Sequence, residues 1–313
     1  MSRRGQRGVA LITAIVLVSL ATIMAVAIGS RSALSARRSA SSFSLEQGLQ
    51  FAAGAEALAS YVLREDRNAQ DTYADSWTQP YGPAEIAPGI ALEAQLEDEQ
   101  GKFNLNTLVN ARGEVDKDAE AVFVRLLELL ELEPRWAPLL VDWLDANVLP
   151  ESDGGEDALY LGQAPPYRAA NTTITSISEL LQLPGFGRER YLKLAPHVTA
   201  LPPDAAKINV CMASPYVLDA LAALSETSKN AVEYSRMDAK LITDSRSRGC
   251  FPTVAVLKTT LKPDIDKRIG EKSSYFRLHS WVSIGTARFA LYSLLYRDGS
   301  GQVRPVLRTL GTE

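Results

Sequence analysis

An uncharged apolar segment near the N-terminus constrains this chain more than any other feature. Residues 9–30 contain no charged side chain, and Arg3, Arg4 and Arg7 precede them. A helix rises ~1.5 Å per residue, so about 20 apolar residues are enough to cross a bilayer. Since basic residues that flank a span stay on the cytoplasmic side, we expect a cytoplasmic N-terminus and everything after Arg31 outside the cytoplasm.

The Gly8-Val9 junction lies directly before this apolar segment. A short basic leader that ends in Gly and is followed at once by an apolar helix resembles the leader of type IV prepilins and pseudopilins. The resemblance implies that a prepilin peptidase cuts after Gly8 and that Val9 is methylated. Two alternatives remain open, a plain single-pass anchor and a secretory signal cleaved near the small residues at 25–27.

Thr13 occupies the fifth position after that junction. Most members of the pilin family carry Glu there, and it neutralises the N-terminal amine of the neighbouring subunit. A Glu without such a partner costs about 2–3 kcal/mol in the bilayer, whereas Thr can bond back to its own helix. The missing carboxylate therefore indicates a minor subunit that starts or caps a filament.

The remaining chain divides into blocks of opposite charge. Residues 107–206 carry 8 basic and 16 acidic side chains, whereas residues 207–313 carry 16 and 10. A length of 313 residues allows two or three domains. We expect the acidic block and the basic last third to be separate units with different partners.

Local patterns predict helices and strands in alternating blocks. Ala, Leu, Glu and Arg dominate from Arg31 to about Asp66, which predicts that the first helix continues that far. Residues 67–89 are rich in Asn, Asp, Pro and Gly and are predicted to be loop. Alternation predicts a β-hairpin of Ile90–Glu97 with Lys102–Asn106, and a helical period follows over residues 107–206. Further strands are predicted at Thr253–Thr259, Tyr275–Gly285, Arg288–Arg297 and Val303–Leu310.

An acidic segment inside the helical block is the first candidate site. It concentrates oxygen ligands within a short loop: Asp142, Asp145, Asn147, Asp153, Glu156 and Asp157. Oxygen-only ligands suit calcium, which takes six to eight of them in flexible geometry. A solvated acidic loop whose Asp side chains cap helices is the equally weighted alternative. The segment Tyr167–Asn171 is expected to fold back on this loop.

A second motif, Leu183-Pro-Gly-Phe-Gly187, lies between two predicted helices and resembles the helix-hairpin-helix element of DNA-binding proteins. Its surroundings are acidic, which is the wrong sign for a polyanion. We therefore expect a packing role and no nucleic-acid partner. The chain also lacks the nucleophile and phosphate-loop motifs of common enzymes, so we expect no enzymatic activity.

Two cysteines, Cys211 and Cys250, lie in the part that is predicted to leave the cytoplasm. Two thiols in an oxidising compartment usually pair. Two separate buried free thiols are the alternative.

Taken in order, seven segments resemble the minor pseudopilin K family of the type II secretion system. They are Gly8–Thr13, Asp98–Asn106, Val141–Ala146, Gly155–Asp157, Pro166–Asn171, Glu179–Gly185, and Lys207–Val210 followed by Ala213–Leu218. The resemblance implies an α+β fold, in which a long N-terminal membrane-spanning helix packs on a pseudopilin-type antiparallel sheet that is split by a large all-α insert. It also implies structural calcium in that insert.

The resemblance further implies a place and partners. The protein would be anchored in the bacterial inner membrane with its C-terminal domain in the periplasm, and would sit at the pseudopilus tip with minor pseudopilins I and J. The major pseudopilin would lie below, and secreted substrates or the outer-membrane channel would be further contacts. A minor pilin of a type IV pilus and a membrane-anchored DNA-binding competence factor are the alternatives.

The implied domain bounds follow the same family. They are a leader (1–8), the N-terminal helix (9–66), the first part of the head (67–106), the helical insert (107–206) and the remainder of the β head (207–313). The sequence departs from the family at Cys211, where relatives tend to carry Asn, which favours pairing with Cys250. It also departs at residues 148–150, where relatives are usually more polar, so the ligand set stays open.

The leader generates the first testable prediction. Co-expression with a prepilin peptidase should shorten the chain by residues 1–8 and add one methyl group to Val9, as read from the intact mass. An unchanged mass would mean a plain membrane anchor. Loss of about thirty residues, the length of a secretory signal, would mean a secreted protein and would contradict the filament interpretation.

Overall fold

The computed structural model describes residues 6–110, 112–225, 233–261 and 265–311, with side chains from Val9 onward. Residues 1–5 of the expected leader lie outside the described residues. The helices are α1 (Gln6–Glu65), α2 (Lys117–Leu129), α3 (Trp136–Leu144), α4 (Asp157–Leu161), α5 (Gly187–Leu194), α6 (Pro215–Ala220), α7 (Ala239–Arg246) and α8 (Val254–Leu257). The strands are β1 (Tyr81–Ala87), β2 (Ile90–Asp98), β3 (Phe103–Asn104), β4 (Val198–Thr199), β5 (Ile208–Asn209), β6 (Ile269–Gly270), β7 (Tyr275–Ile284), β8 (Ala287–Arg297) and β9 (Val303–Leu310).

The longest element, α1, has two halves with different surroundings. All side chains from Val9 to Phe43 are exposed, and the helix contains an 18-residue window of mean hydropathy 2.7. Ala52, Ala59 and Leu63 are buried against the sheet. The predicted single helix to about Asp66 is confirmed, and its exposed apolar half has the length and composition of a membrane span.

The main sheet has five antiparallel strands in the spatial order β1, β2, β7, β8, β9. Small residues of α1 allow the helix to lie close to this sheet, where Leu63, Trp77, Phe276 and Leu295 form a common apolar core. The ring of Trp77 meets the ring of Phe276 edge-on at 5.2 Å. This layer of one helix on one antiparallel sheet confirms the expected α+β class.

A separate lobe of helices has its own apolar core. Phe123 of α2, Leu140 of α3 and Leu194 of α5 belong to one buried cluster. The same cluster includes Val217 of α6 and Ile269 of β6, so the packing of the lobe extends past the predicted boundary at residue 206. The domain bounds remain a prediction about which parts fold on their own.

Three local predictions are wrong. Residues 67–89 contain an edge strand, β1, which pairs with β2. The predicted hairpin does not form, because β2 pairs with β7 and β3 instead pairs in parallel with β4. The segment at Thr253 forms a short helix, since the Thr253 hydroxyl accepts a hydrogen bond from the amide of Val256 and caps it. Strands β7, β8 and β9 are confirmed.

Amide side chains hold the chain where it leaves the sheet. The Oδ1 of Asn104 accepts a hydrogen bond from the amide of Leu201 at 3.0 Å, and its Nδ2 donates to the carbonyl of Pro202 at 3.0 Å. Asn106 accepts from the amide of Ile174 at 2.9 Å and donates to the carbonyl of Leu201 at 2.8 Å. Both side chains are buried, so these bonds satisfy backbone groups that water cannot reach.

Two further amide side chains, those of Gln100 and Asn209, hold the chain where it returns to the sheet. Gln100 accepts a hydrogen bond from the amide of Ser274 at 2.5 Å and donates to the carbonyl of Lys207 at 3.0 Å. Asn209 donates to the carbonyl of Asp71 at 3.2 Å. The Gln-Gly-Lys-Phe-Asn-Leu-Asn and Lys-Ile-Asn-Val motifs thus form one polar junction between the helical lobe and the sheet.

A buried ion pair joins the end of α1 to the sheet. The Nη2 of Arg297 donates to Asp71 Oδ1 at 2.7 Å, and its Nη1 donates to Asp66 Oδ2 at 3.3 Å. Arg297 is 3% exposed and Asp71 is 0% exposed. The pKa of Asp71 is nevertheless raised, first by burial, with Arg297 opposing the rise.

The structure joins Cys211 and Cys250 by a disulfide, with their Cα atoms 4.5 Å apart. The bridge ties the segment after α7 to the segment between β5 and α6. It therefore holds α7 on the helical lobe.

Removing one partner of a buried ion pair leaves an uncompensated charge. We expect Arg297→Met to lower the free energy of unfolding of the full chain in detergent by about 3–5 kcal/mol, measured by urea denaturation. The matched control is Arg288→Met, because Arg288 is 56% exposed and forms a surface pair with Glu93. That control should cost no more than about 1 kcal/mol. Equal losses in both variants would contradict the role of the buried pair.

Candidate functional site

Asp142 organises the acidic loop from inside the protein. It lies near the end of α3, is 0% exposed, and accepts hydrogen bonds from the amides of Glu151 at 3.0 Å and Gly155 at 2.6 Å. A Cβ on Gly154 would overlap the Asp142 carboxylate, so glycine is required there. The Asp142 carboxylate therefore closes the loop onto the helix that precedes it.

Asp145 and Glu156 bring further buried carboxylates to this loop. Asp145 is 1% exposed and Glu156 is 8% exposed. One oxygen of Asp145 accepts a hydrogen bond from Asn147 Nδ2 at 2.6 Å. Among the described residues, no partner is found for the other Asp145 oxygen or for either Glu156 oxygen. Such orphaned buried oxygens are rare in native proteins and require an explanation.

The electrostatics of these groups agree with their geometry. Burial raises the pKa of Asp142, Asp145 and Glu156 above their ordinary values. Asp142 then raises the pKa of both Asp145 and Glu156 further, because like charges at short range repel. The three buried carboxylates thus form one negatively charged group that lacks a counter-charge among the described residues.

The tail of the loop folds back as expected. Asn171 donates from Nδ2 to the carbonyl of Asn147 at 3.0 Å, and Asp157 accepts from the amide of Ala169 at 3.2 Å. The Oδ1 of Asn171 is buried without a partner among the described residues. Asn171 is therefore a candidate ligand that the sequence reasoning did not select. Its position at the end of the Pro-Tyr-Arg-Ala-Ala-Asn motif was the available signal.

The predicted set divides into central and peripheral members. Asp142, Asp145 and Glu156 are buried and interact electrostatically, and Asn147 is hydrogen-bonded to Asp145. Asp153 is exposed with a left-handed φ of 66°. Asp157 lies 3.8 Å from the Nε of Arg168, so its carboxylate is partly committed to the returning tail.

Oxygen donors of this kind suit a hard divalent cation. Calcium accepts carboxylate and amide oxygens in variable number, and the orphaned oxygens of Asp145, Glu156 and Asn171 are of that type. The donor types of these residues therefore suit calcium. A cation here would supply the counter-charge that the loop otherwise lacks.

The Pro-Gly-Phe-Gly motif has a packing role in the structure. Phe186 is buried, and its ring meets the ring of Trp136 edge-on at 5.1 Å. Arg190 of α5 pairs with Glu133 at 2.8 Å. The hairpin thus ties α5 to the start of α3 inside the acidic lobe.

The N-terminal residues named from the sequence all lie in α1. Gly8 and Val9 are helical, although the side chains before Val9 lie outside the described residues. Thr13 donates from Oγ1 to the carbonyl of Ala10 at 3.0 Å. This bond satisfies the Thr13 hydroxyl within its own helix.

Comparisons with known sequences and with solved structures all find the same family. Residues 101–203 match the model of the family described as type II secretion system protein K. The chain is 36% identical to type II secretion system protein K of Pseudomonas aeruginosa, over 99% of this chain and 94% of that protein. It is 31% identical to protein K of Klebsiella pneumoniae, over 94% of this chain and 93% of that protein. The fold matches a chain in the crystal structure of the GspK-GspI-GspJ complex from enterotoxigenic Escherichia coli with a TM-score of 0.70, at 22% identity over 88% of this chain and 100% of that chain.

The raised pKa values of the acidic-loop carboxylates make the stability of the folded protein depend on pH. Because the folded state holds these protons more tightly than the unfolded state, the metal-free protein gains stability as pH falls from 7 towards the ordinary carboxyl pKa of about 4. Replacing Asp145 with Asn and Glu156 with Gln removes the part of this component that these two residues contribute, and Asp142 remains. The double variant should therefore show a smaller rise in Tm between pH 7 and pH 5 than the parent, measured in EDTA.

Titratable groups outside the acidic loop should change the Tm between pH 7 and pH 5 by the same amount in the parent and in the double variant. Burial raises the pKa of Asp98 to about 7, so Asp98 gives a change of the same sign in parent and variant. Glu97 acts only at lower pH, because its close contacts with His279 and Lys102 lower its pKa to about 2. Parallel curves for parent and double variant would contradict the assignment.

Proposed function

The chain belongs to the type II secretion system protein K family, and from that premise we propose that it is a non-enzymatic minor pseudopilin at the tip of the secretion pseudopilus. The observation that carries the proposal is the division of α1. Its first half is apolar and exposed, and its second half is packed on the head. A helix of this kind can move from a membrane into a filament without unfolding the head.

Anchoring follows from the same helix. The apolar half holds the subunit in the inner membrane before assembly, and the N-terminal arginines orient it with the head in the periplasm. A prepilin peptidase then removes the leader at Gly8. The relatives favour a secretion pseudopilus over a type IV pilus or a DNA-binding competence factor.

The tip position is supported by Thr13 and by the helical lobe. Thr13 is bonded to its own helix and offers no carboxylate to the terminal amine of a neighbour. The helical lobe is large and is anchored beside the sheet, where it would obstruct another subunit. We therefore propose that the chain starts or caps the filament with minor pseudopilins I and J, with the major pseudopilin below. The lobe is then free to meet secreted substrates or the outer-membrane channel.

The tip position has a direct test. The test uses antibody raised against the full chain, because an inserted tag would disturb either β9 near Leu310 or the acidic loop around Val148 and Leu149. Gold-labelled antibody should then mark one end of each pseudopilus in electron micrographs. Label along the whole filament, or failure of the full chain to co-purify with pseudopilins I and J, would contradict the proposal.

We further propose that the acidic loop holds structural calcium. Asp142, Asp145 and Glu156, with Asn171, are the central candidate ligands, and Asn147, Asp153 and Asp157 are the outer ones. The bound ion would neutralise the repulsion between the buried carboxylates. The loop and its returning tail would then form one rigid surface at the edge of the lobe.

Calcium should raise the Tm of the full chain relative to EDTA. A ligand that binds only the folded state at 100 times its Kd stabilises by about 2.7 kcal/mol. The double variant Asp145→Asn, Glu156→Gln should lose this shift. The matched control, Glu189→Gln with Asp204→Asn, removes the same charge from exposed positions and should keep it. Equal calcium shifts in both double variants would place the ion elsewhere.

A further inference from the structure

An apolar and aromatic cleft of about 520 Å³ lies on the helical lobe away from the acidic loop residues. Its lining includes Tyr73, Tyr216, Tyr234, Met237, Ile242 and Arg246. The volume falls within the range of about 300–1,000 Å³ that is typical of ligand pockets. None of these residues takes part in the calcium proposal or in the membrane helix.

The walls of the cleft are built into the fold. Asp219 accepts hydrogen bonds from the amides of Tyr234 at 2.6 Å and Ser235 at 2.9 Å, which fixes one wall. Residues of α7 form a second wall, and the segment that follows α7 is tied down by the disulfide between Cys211 and Cys250. A cleft with both walls fixed is largely pre-formed, which lowers the entropic cost of binding.

Arg246 brings an uncompensated positive charge to this cleft. Its side chain is 7% exposed. It donates to the backbone carbonyl oxygens of Ala213 at 2.5 Å and Phe251 at 3.1 Å, and its guanidinium lies 5.3 Å from the ring centre of Tyr73. Within the part of the chain that the structure describes, no carboxylate forms an ion pair with it.

A buried charge without a counter-ion is costly. The pKa of Arg246 is lowered, chiefly by burial, which agrees with the missing counter-charge. Carboxylates are the natural partners of a guanidinium, since its planar donors match their two oxygens. The basic excess of residues 207–313, with 16 basic and 10 acidic side chains, favours an anionic partner as well.

We propose that this cleft binds a polypeptide segment that presents a carboxylate beside an aromatic or large apolar side chain. The carboxylate would pair with Arg246, and the apolar group would pack on Tyr216, Tyr234 and Met237. Arg246 is the only charged residue in the described lining of the cleft, so a single negative charge matches it better than a polyanion does. The inference goes beyond the tip and calcium proposals and depends on neither.

The test uses a small probe and the full chain in detergent. N-acetyl-4-fluorophenylalanine carries a carboxylate and an aromatic ring. The control probe is its C-terminal primary amide, which keeps the ring and lacks the negative charge. Fluorine NMR of the probe, with empty micelles as blank, measures both affinities. We expect the carboxylate to bind at least tenfold more tightly than the amide. Absence of binding above the blank, or equal binding of both probes, would overturn the proposal.

Variants locate the site of binding. Arg246→Met should abolish the preference for the carboxylate. The matched control is Arg248→Met, because Arg248 is exposed on the same segment and should keep the preference. Thermal unfolding reports whether Arg246→Met still folds. Tyr216→Ala provides a second test, since Tyr216 is 38% exposed and lines the cleft. It should weaken binding of both probes, and unchanged affinities in a folded Tyr216→Ala variant would overturn the proposal.

Discussion

The pairing of β2 with β7 is the constraint on which the rest of the structure depends. Asp98 lies opposite Phe276 in that ladder, so residues 99–275 leave and return at the same end of two neighbouring strands. The helical lobe is therefore attached at one end of the two neighbouring strands β2 and β7, which lie inside the sheet. Backbone groups at this point cannot all pair within the sheet, and the buried amides of Gln100, Asn104 and Asn209 satisfy them instead.

The protein treats buried charge in two different ways. Arg297 and Asp71 are paired inside the head, where they join α1, the following loop and β8. In the helical lobe, Asp145 and Glu156 are buried without an opposite charge among the described residues. A paired charge fixes geometry at all times, whereas an uncompensated acidic group makes local stability depend on a bound cation. In the calcium proposal, the sheet remains rigid and only the acidic loop depends on the bound ion.

The same architecture separates the tasks that a filament tip needs. The exposed half of α1 has the length and composition for the proposed membrane and filament contacts, and its packed half carries the sheet. The helical lobe adds surface that the filament core does not use, including the acidic loop and the cleft around Arg246. The buried amides of the junction and the disulfide between Cys211 and Cys250 fix the backbone of the lobe. The acidic loop and the cleft around Arg246 therefore stay in fixed positions on the helices that carry them.

Periodicity and composition were enough to predict the long helix, the three C-terminal strands and the acidic loop, since each depends on residues close together in the chain. The Tyr167–Asn171 segment was also expected to fold back on the acidic loop, as it does. Sequence could not predict that Phe103–Asn104 pairs with Val198–Thr199, that Tyr81–Ala87 forms an edge strand, or that Arg246 is buried without a carboxylate. Those features arise from contacts between distant segments. A local pattern can specify which face of an element is apolar, but only packing specifies which partner covers that face and which charges remain unpaired.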